Sequence, residues 1–190
     1  MALQSPQPPE QSREAAEAGL QLLAGLGRVR TATLLPAAPE DLRLADPVPM
    51  YTLAPTGSLA DAQPVSWRYL VRHGGEPVAL AETVRDAAGE HVFSQLNYGP
   101  FVAGTAAALD SARAVAGERA GDAEVRLLHV PAVHLIAVWL HGDLADTLVP
   151  AAPAPSGIEP GRPYPAPQLL SLVAEFTPPL LSPDDDRGGG

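Results

Sequence analysis

The residues whose types and spacing single them out are histidines, aspartates, one asparagine and aromatics, in a chain that contains neither cysteine nor lysine. Those two absences exclude disulfide scaffolds, thiolate metal sites, iron–sulfur clusters, cysteine nucleophiles, Schiff-base chemistry and a phosphate-binding lysine. His134 and His141 are the histidines whose neighbours suggest a role. The stretch His141-Gly142-Asp143-Leu144-Ala145-Asp146 spaces His and Asp as a metal loop or a base–orienter pair would. In the catalytic version, His134 or His141 is the base and Asp143 the orienter. A metal site takes three or four protein ligands, and no cysteine or second His-x-Asp joins this one, so no metal is expected. A solvated turn closing a strand is the simpler account. His129 and His134, five apart, would face opposite sides of a continuous strand and make a poor ligand pair.

Asn97-Tyr98-Gly99-Pro100-Phe101 is the most motif-like stretch. Gly99 permits a sharp turn, and Pro100 suits the first position of a helix, where its missing N–H costs nothing. Asn97 and Tyr98 would then stand at a helix N-terminus whose free amides can hold an anion; the plainer account is a strand-to-helix corner. Trp67, Tyr69, Asn97, Tyr98 and Trp139, with His134, are the candidate walls of a ligand pocket. No GxSxG elbow, Walker loop, HExxH or EF-hand loop is present, and no cofactor is expected. Gly25-Leu26-Gly27 begins like a dinucleotide fingerprint, but Arg30 stands where its third glycine belongs.

Several elements must position these residues. Val133–Leu140 is apolar on both faces, with His134, Ile136, Val138 and Leu140 on one and Val133, Leu135, Ala137 and Trp139 on the other. It reads as a strand covered on both sides. Pro131 separates it from Glu124–Val130, as two strands or as one bent strand. Ser66–His73, Gly74-Gly75 and Glu76–Arg85 form a hairpin, and His91–Leu96 a third strand, making an antiparallel meander with one polar face. Its arginines, Arg68, Arg72 and Arg85, offer a contact surface. Val48–Leu53 reads as an edge strand because of its prolines, and Val29–Leu35 as a short strand.

Ser12 caps a helix whose stripe is Ala15, Ala18, Leu22 and Leu26, with Leu23 beside it. A second helix follows Pro100, with Phe101, Thr105, Leu109 and Ala112 on its stripe. A short third one, Gln168–Phe176, presents Leu169, Leu172, Val173 and Phe176. The expected fold is α+β: a curled, roll-like antiparallel sheet of about five to six strands packed on one long helix, flanked by the N-terminal amphipathic helix and the short C-terminal one. In general shape this resembles cystatin-like and nuclear-transport-factor-like proteins, a resemblance of architecture that carries no function.

The boundaries follow composition. Residues 1–11 read as a disordered tail, 12–148 as a single domain and 149–167 as a proline-rich connection. Residues 168–177 read as a short helix packing on that domain, and 178–190 as a disordered acidic and glycine-rich tail. The net charge of −10 excludes the positive footprint of a nucleic-acid binder and disfavours anionic membranes. No signal peptide or membrane span is legible, which makes a soluble cytoplasmic protein the expectation. The basic residues, all arginine, and the abundance of Ala, Pro and Gly suit a GC-rich bacterial genome.

Two functional readings stand. The preferred one is a non-catalytic accessory module that docks to another protein, with homo-oligomerisation open. The alternative is a small-molecule-binding protein or enzyme with a pocket inside the curled sheet.

Overall fold

The computed structural model describes residues 3–4, 6–31, 33, 35–118, 122–142 and 145–176. A short strand β1 (Leu3–Gln4) precedes helix α1 (Glu10–Gly25). Four strands follow, β2 (Leu42–Thr52), β3 (Gln63–His73), β4 (Glu76–Arg85) and β5 (His91–Asn97), and then helix α2 (Pro100–Glu118). The C-terminal part adds β6 (Ala123–Val130), β7 (Leu135–Gly142), β8 (Thr147–Pro150), β9 (Tyr164–Pro165) and helix α3 (Ala166–Glu175). One open sheet holds all the strands in the order β5-β4-β3-β2-β6-β7-β8-β9, with β1 also on β6. The fold is α+β as expected. The sheet is larger than the expected five to six strands, and it is mixed: β1 and β2 both run parallel to β6.

The meander forms where expected. Gly74 and Gly75 both take positive φ, the conformation a tight two-residue hairpin requires. β2 is central, which corrects the edge assignment. Its prolines are tolerated because the β2–β6 ladder begins only at Met50, so Pro47 and Pro49 never face a β6 partner. Around Asp46, at φ 49°, the β2–β3 register shifts, and β1 takes the β6 positions, Ala123 and Glu124, that β2 does not reach. Leu3 and Gln4, expected in a disordered tail, thus belong to the sheet. Val29–Leu35 forms no strand; an isolated bridge joins Arg30 to Pro36. The tail at 178–190 lies outside the described residues.

Both faces of the sheet are covered. On one, α2 packs Val102, Leu109 and Ala112 over Leu70, Leu80, Leu127, Val138 and Leu140. On the other, α1 covers Tyr69, Val71, Ala79 and Ala81, while α3 and the proline-rich connection cover Leu128, Ala137, Trp139 and Leu148. The alternation expected for 135–140 is therefore observed. The meander also carries the expected polar face: Arg68, Glu82 and Gln95 stand opposite the side that α1 buries, and α2 covers only its Leu70 and Leu80 part. Helices on two faces replace a sheet curled on one long helix. Residues 149–167 include the end of β8, all of β9 and the start of α3, and bury Ala151, Ile158 and Tyr164 in this chain's own core, with a cis bond at Ala152–Pro153. No helix among the described residues is long and apolar enough to cross a membrane.

α1 is rotated from its expected face. Ala16, Gly19, Leu20 and Ala24 are buried, whereas Leu22 and Leu26 are 65% and 60% exposed. The cause is Gly19: the Phe93 ring occupies the space its Cβ would fill, so the small-residue stripe faces the sheet. Ser12 lies inside the first turn rather than capping it. Its buried hydroxyl pairs with the Tyr69 hydroxyl at 2.7 Å and the Thr83 hydroxyl at 2.6 Å.

β6 and β7 are two strands, as Pro131 suggested. A single 3-10 turn, Pro131–Val133, joins them, and His134 closes it in the left-handed region at φ 51°, ψ 35°. His134 is thus a turn residue, not a strand residue. Glycine adopts this conformation freely and alanine does not, so His134→Gly should be more stable than His134→Ala by about 1 kcal/mol. Urea melts of the two variants measure the difference; equal midpoints would show that the turn relaxes.

Candidate functional site

A cavity of about 170 Å³ opens on the α2 face, at the N-terminal end of that helix. Its polar wall is Arg68 from β3, Asn97 at the end of β5, His129 at the end of β6 and His134 in the β6–β7 turn. Leu80, Val102 and Ile136 form its apolar side, and Tyr98 and Phe101 also line it. The β5–α2 corner sets this arrangement. Gly99 takes φ 96° and its carbonyl accepts from the Val102 amide at 3.1 Å, turning the chain directly into α2. The Tyr98 hydroxyl donates to the Arg28 carbonyl at 2.9 Å, tying the corner to the segment after α1. The first turn of α2 carries no acidic side chain, so its positive end is not offset from within the helix.

Beneath the polar wall lies a buried ion pair. Arg68 is directly opposite Glu82 on β4, and Glu82 is opposite Gln95 on β5. Glu82 Oε2 accepts from Arg68 Nη2 at 3.3 Å, Gln95 Nε2 at 2.9 Å and Asn97 Nδ2 at 3.4 Å. Burial opposes ionisation of Glu82, yet the Arg68 charge and the donated hydrogen bonds hold its carboxyl below the usual carboxylate range. Burial lowers the Arg68 guanidinium, with Glu82 opposing that shift. Arg68 Nε is buried with no hydrogen-bond partner among the described residues.

His129 and His134 share this cavity, contrary to the opposite-face expectation. The turn at 131–134 breaks the strand, so the two no longer follow one alternation. Burial lowers the His129 pKa, and the charges of Arg68 and His134 lower it further against Glu82. The imidazole is therefore neutral near pH 7 and able to accept a proton. A histidine that protonates less readily folded than unfolded weakens the fold as pH drops through the unfolded value of about 6.5. Wild-type melting temperature should fall as pH is lowered from 7.5 towards 5, and His129→Gln should flatten part of that slope. Parallel slopes would mean His129 titrates as it does in the unfolded chain.

The remaining sequence candidates are elsewhere. Trp67 and Tyr69 pack under α1, on the opposite face. Trp139 packs on the α3 side, edge-on to Tyr51 at 5.5 Å and to His141 at 5.1 Å, with the Arg126 guanidinium 4.8 Å from its ring centroid. His141 Nδ1 is 2.9 Å from Asp146 Oδ1, so its partner is Asp146; Asp143 lies outside the described residues. The structure thus gathers Asn97, Tyr98 and His134 at one cavity and separates Trp67, Tyr69, Trp139 and His141 from it. Arg68 was expected on a contact surface rather than in a pocket, and Glu82 and His129 were not among the expected pocket walls. Arg68 and Arg72 are not an open contact surface either: Arg68 pairs with Glu82, and Arg72 bonds Asp46 at 3.1 Å and the Gly75 carbonyl at 2.8 Å.

Among the described residues, no three His, Asp or Glu side chains are grouped to hold a metal ion. The comparisons add no family: no family model, no curated protein and no solved structure matches this chain.

Proposed function

We propose that the protein binds a small molecule in the cavity at the N-terminal end of α2. The observation that supports this reading is convergence. Arg68, Asn97, His129 and His134 come from different segments of the chain and meet at one concavity. Of these, Arg68 and His129 depart in pKa from their ordinary values, as does Glu82 behind Arg68. Perturbed titratable groups around a partly apolar pocket are the usual signature of a ligand site. A fragment library titrated into isotope-labelled protein should move the resonances of Tyr98, His129, His134 and the first turn of α2 together. If bound fragments move other regions only, the reading fails.

Docking to another protein is the second reading, supported by Leu22 and Leu26, both exposed at the C-terminal end of α1. The double variant Leu22→Asp, Leu26→Asp should keep the wild-type melting temperature and lose a partner recovered in fixed ratio from native lysate. Unchanged recovery removes this reading.

A further inference from the structure

We infer that the ligand of this cavity joins an oxyanion head, carboxylate or phosphate, to a small apolar body, with Arg68 as the group that receives the head. The inference rests on the cavity being a ligand site and names its ligand class.

Donors outnumber acceptors there. Arg68 carries five N–H groups. Its recorded bond to Glu82 uses one nitrogen, Nη2, while Nε is buried without a partner among the described residues. The Arg68 side chain retains only 11% of its exposure, so solvent has little access to it. Nε itself is closed to a water-sized group, so a ligand meets Arg68 through the part of the guanidinium that lines the cavity, and an oxyanion is the acceptor a guanidinium fork matches best. Glu82 does not fill that role for Nε: the bond it accepts from Arg68 comes from Nη2. His129 and His134 add ring nitrogens, and even a neutral imidazole carries one N–H donor. The first turn of α2, free of acidic side chains, adds a positive end. A cationic ligand would meet this same set unfavourably. Leu80, Val102 and Ile136 line the same cavity, and they give an apolar body somewhere to bury.

Matched probes test the class. Benzoate and benzamide share shape and differ in charge, inorganic phosphate is a head without a body, and benzylamine reverses the sign. Each is titrated into the full-length protein and followed at the His129, His134 and Tyr98 resonances. Benzoate should bind at least about tenfold more tightly than benzamide, the worth of one charge-assisted hydrogen bond. In the variant Arg68→Met, Glu82→Leu, which removes both charges together, that preference should vanish while benzamide still binds. Benzamide or benzylamine binding as well as benzoate at these resonances overturns the anion class and leaves the cavity a ligand site. Phosphate binding as tightly as benzoate supports the oxyanion head and overturns the apolar body. No probe moving the cavity resonances overturns both the class and the site. If the double variant does not fold, the wild-type benzoate-to-benzamide ratio decides alone.

Discussion

Glu82→Ala should destabilise the fold by about 3–5 kcal/mol, the cost of leaving a buried charge without its partner. Arg68 and Glu82 retain 11% and 10% of their side-chain exposure, so neither charge is well hydrated once the other is removed. The same substitution removes the acceptor that Gln95 and Asn97 share. For a chain of this size the loss corresponds to a fall of roughly 6–20 °C in melting temperature. Removing both charges together, as in Arg68→Met, Glu82→Leu, should cost far less, because two desolvation penalties disappear with the pair. Urea unfolding of wild type, the single variant and the double variant forms the comparison. A Glu82→Ala midpoint within error of wild type would mean that water reaches Arg68 and that the pair is not buried in solution.

Gly104→Ala should also destabilise, although helix propensity alone favours alanine by about 1 kcal/mol. Gly104 sits in α2 where a Cβ would overlap the Ala152 carbonyl, and that neighbour is backbone in the proline-rich connection. A backbone atom cannot swing aside as a side-chain tip can, so the overpacking cost lies at or above the upper end of the usual range of about 1–3 kcal/mol. Gly117, near the other end of the same helix, has nothing within 4 Å of its would-be Cβ. Gly117→Ala should therefore stabilise by up to about 1 kcal/mol. Opposite signs in thermal melts of these two variants confirm that the connection is clamped onto α2. The same sign in both would show that it is not.

Legibility in the sequence followed the strength of local signals. The apolar run at 135–140, the Gly74-Gly75 hairpin and the Pro100 helix start all appear as their residue types require. The face of α1 did not, because the deciding contact is Phe93 on Gly19, between residues distant in sequence. The ion pair was hidden for a subtler reason. A regular ladder starting at His73 opposite Glu76 would place Arg68 across from Ala81. The register slips between Val71 and Arg72, next to Pro77, which has no N–H to donate, and the slip brings Glu82 opposite Arg68 instead. His129 and His134 were separated by an alternation that held only for an unbroken strand.

The seam between β2 and β6 has a consequence for how the protein is assembled in time. α1 and β2–β5 are contiguous in the chain, as are β6–β9 and α3, and the two sets meet in the sheet through three register pairs, Met50–Leu127 to Thr52–His129. Hairpins within each set close short loops, whereas the seam must close across all of β3, β4, β5 and α2, and such long-range pairings form slowly. Arg68, Glu82 and Asn97 lie on one side of that seam, and His129 and His134 on the other. The cavity is therefore absent from either half alone and comes into being only once that seam has closed.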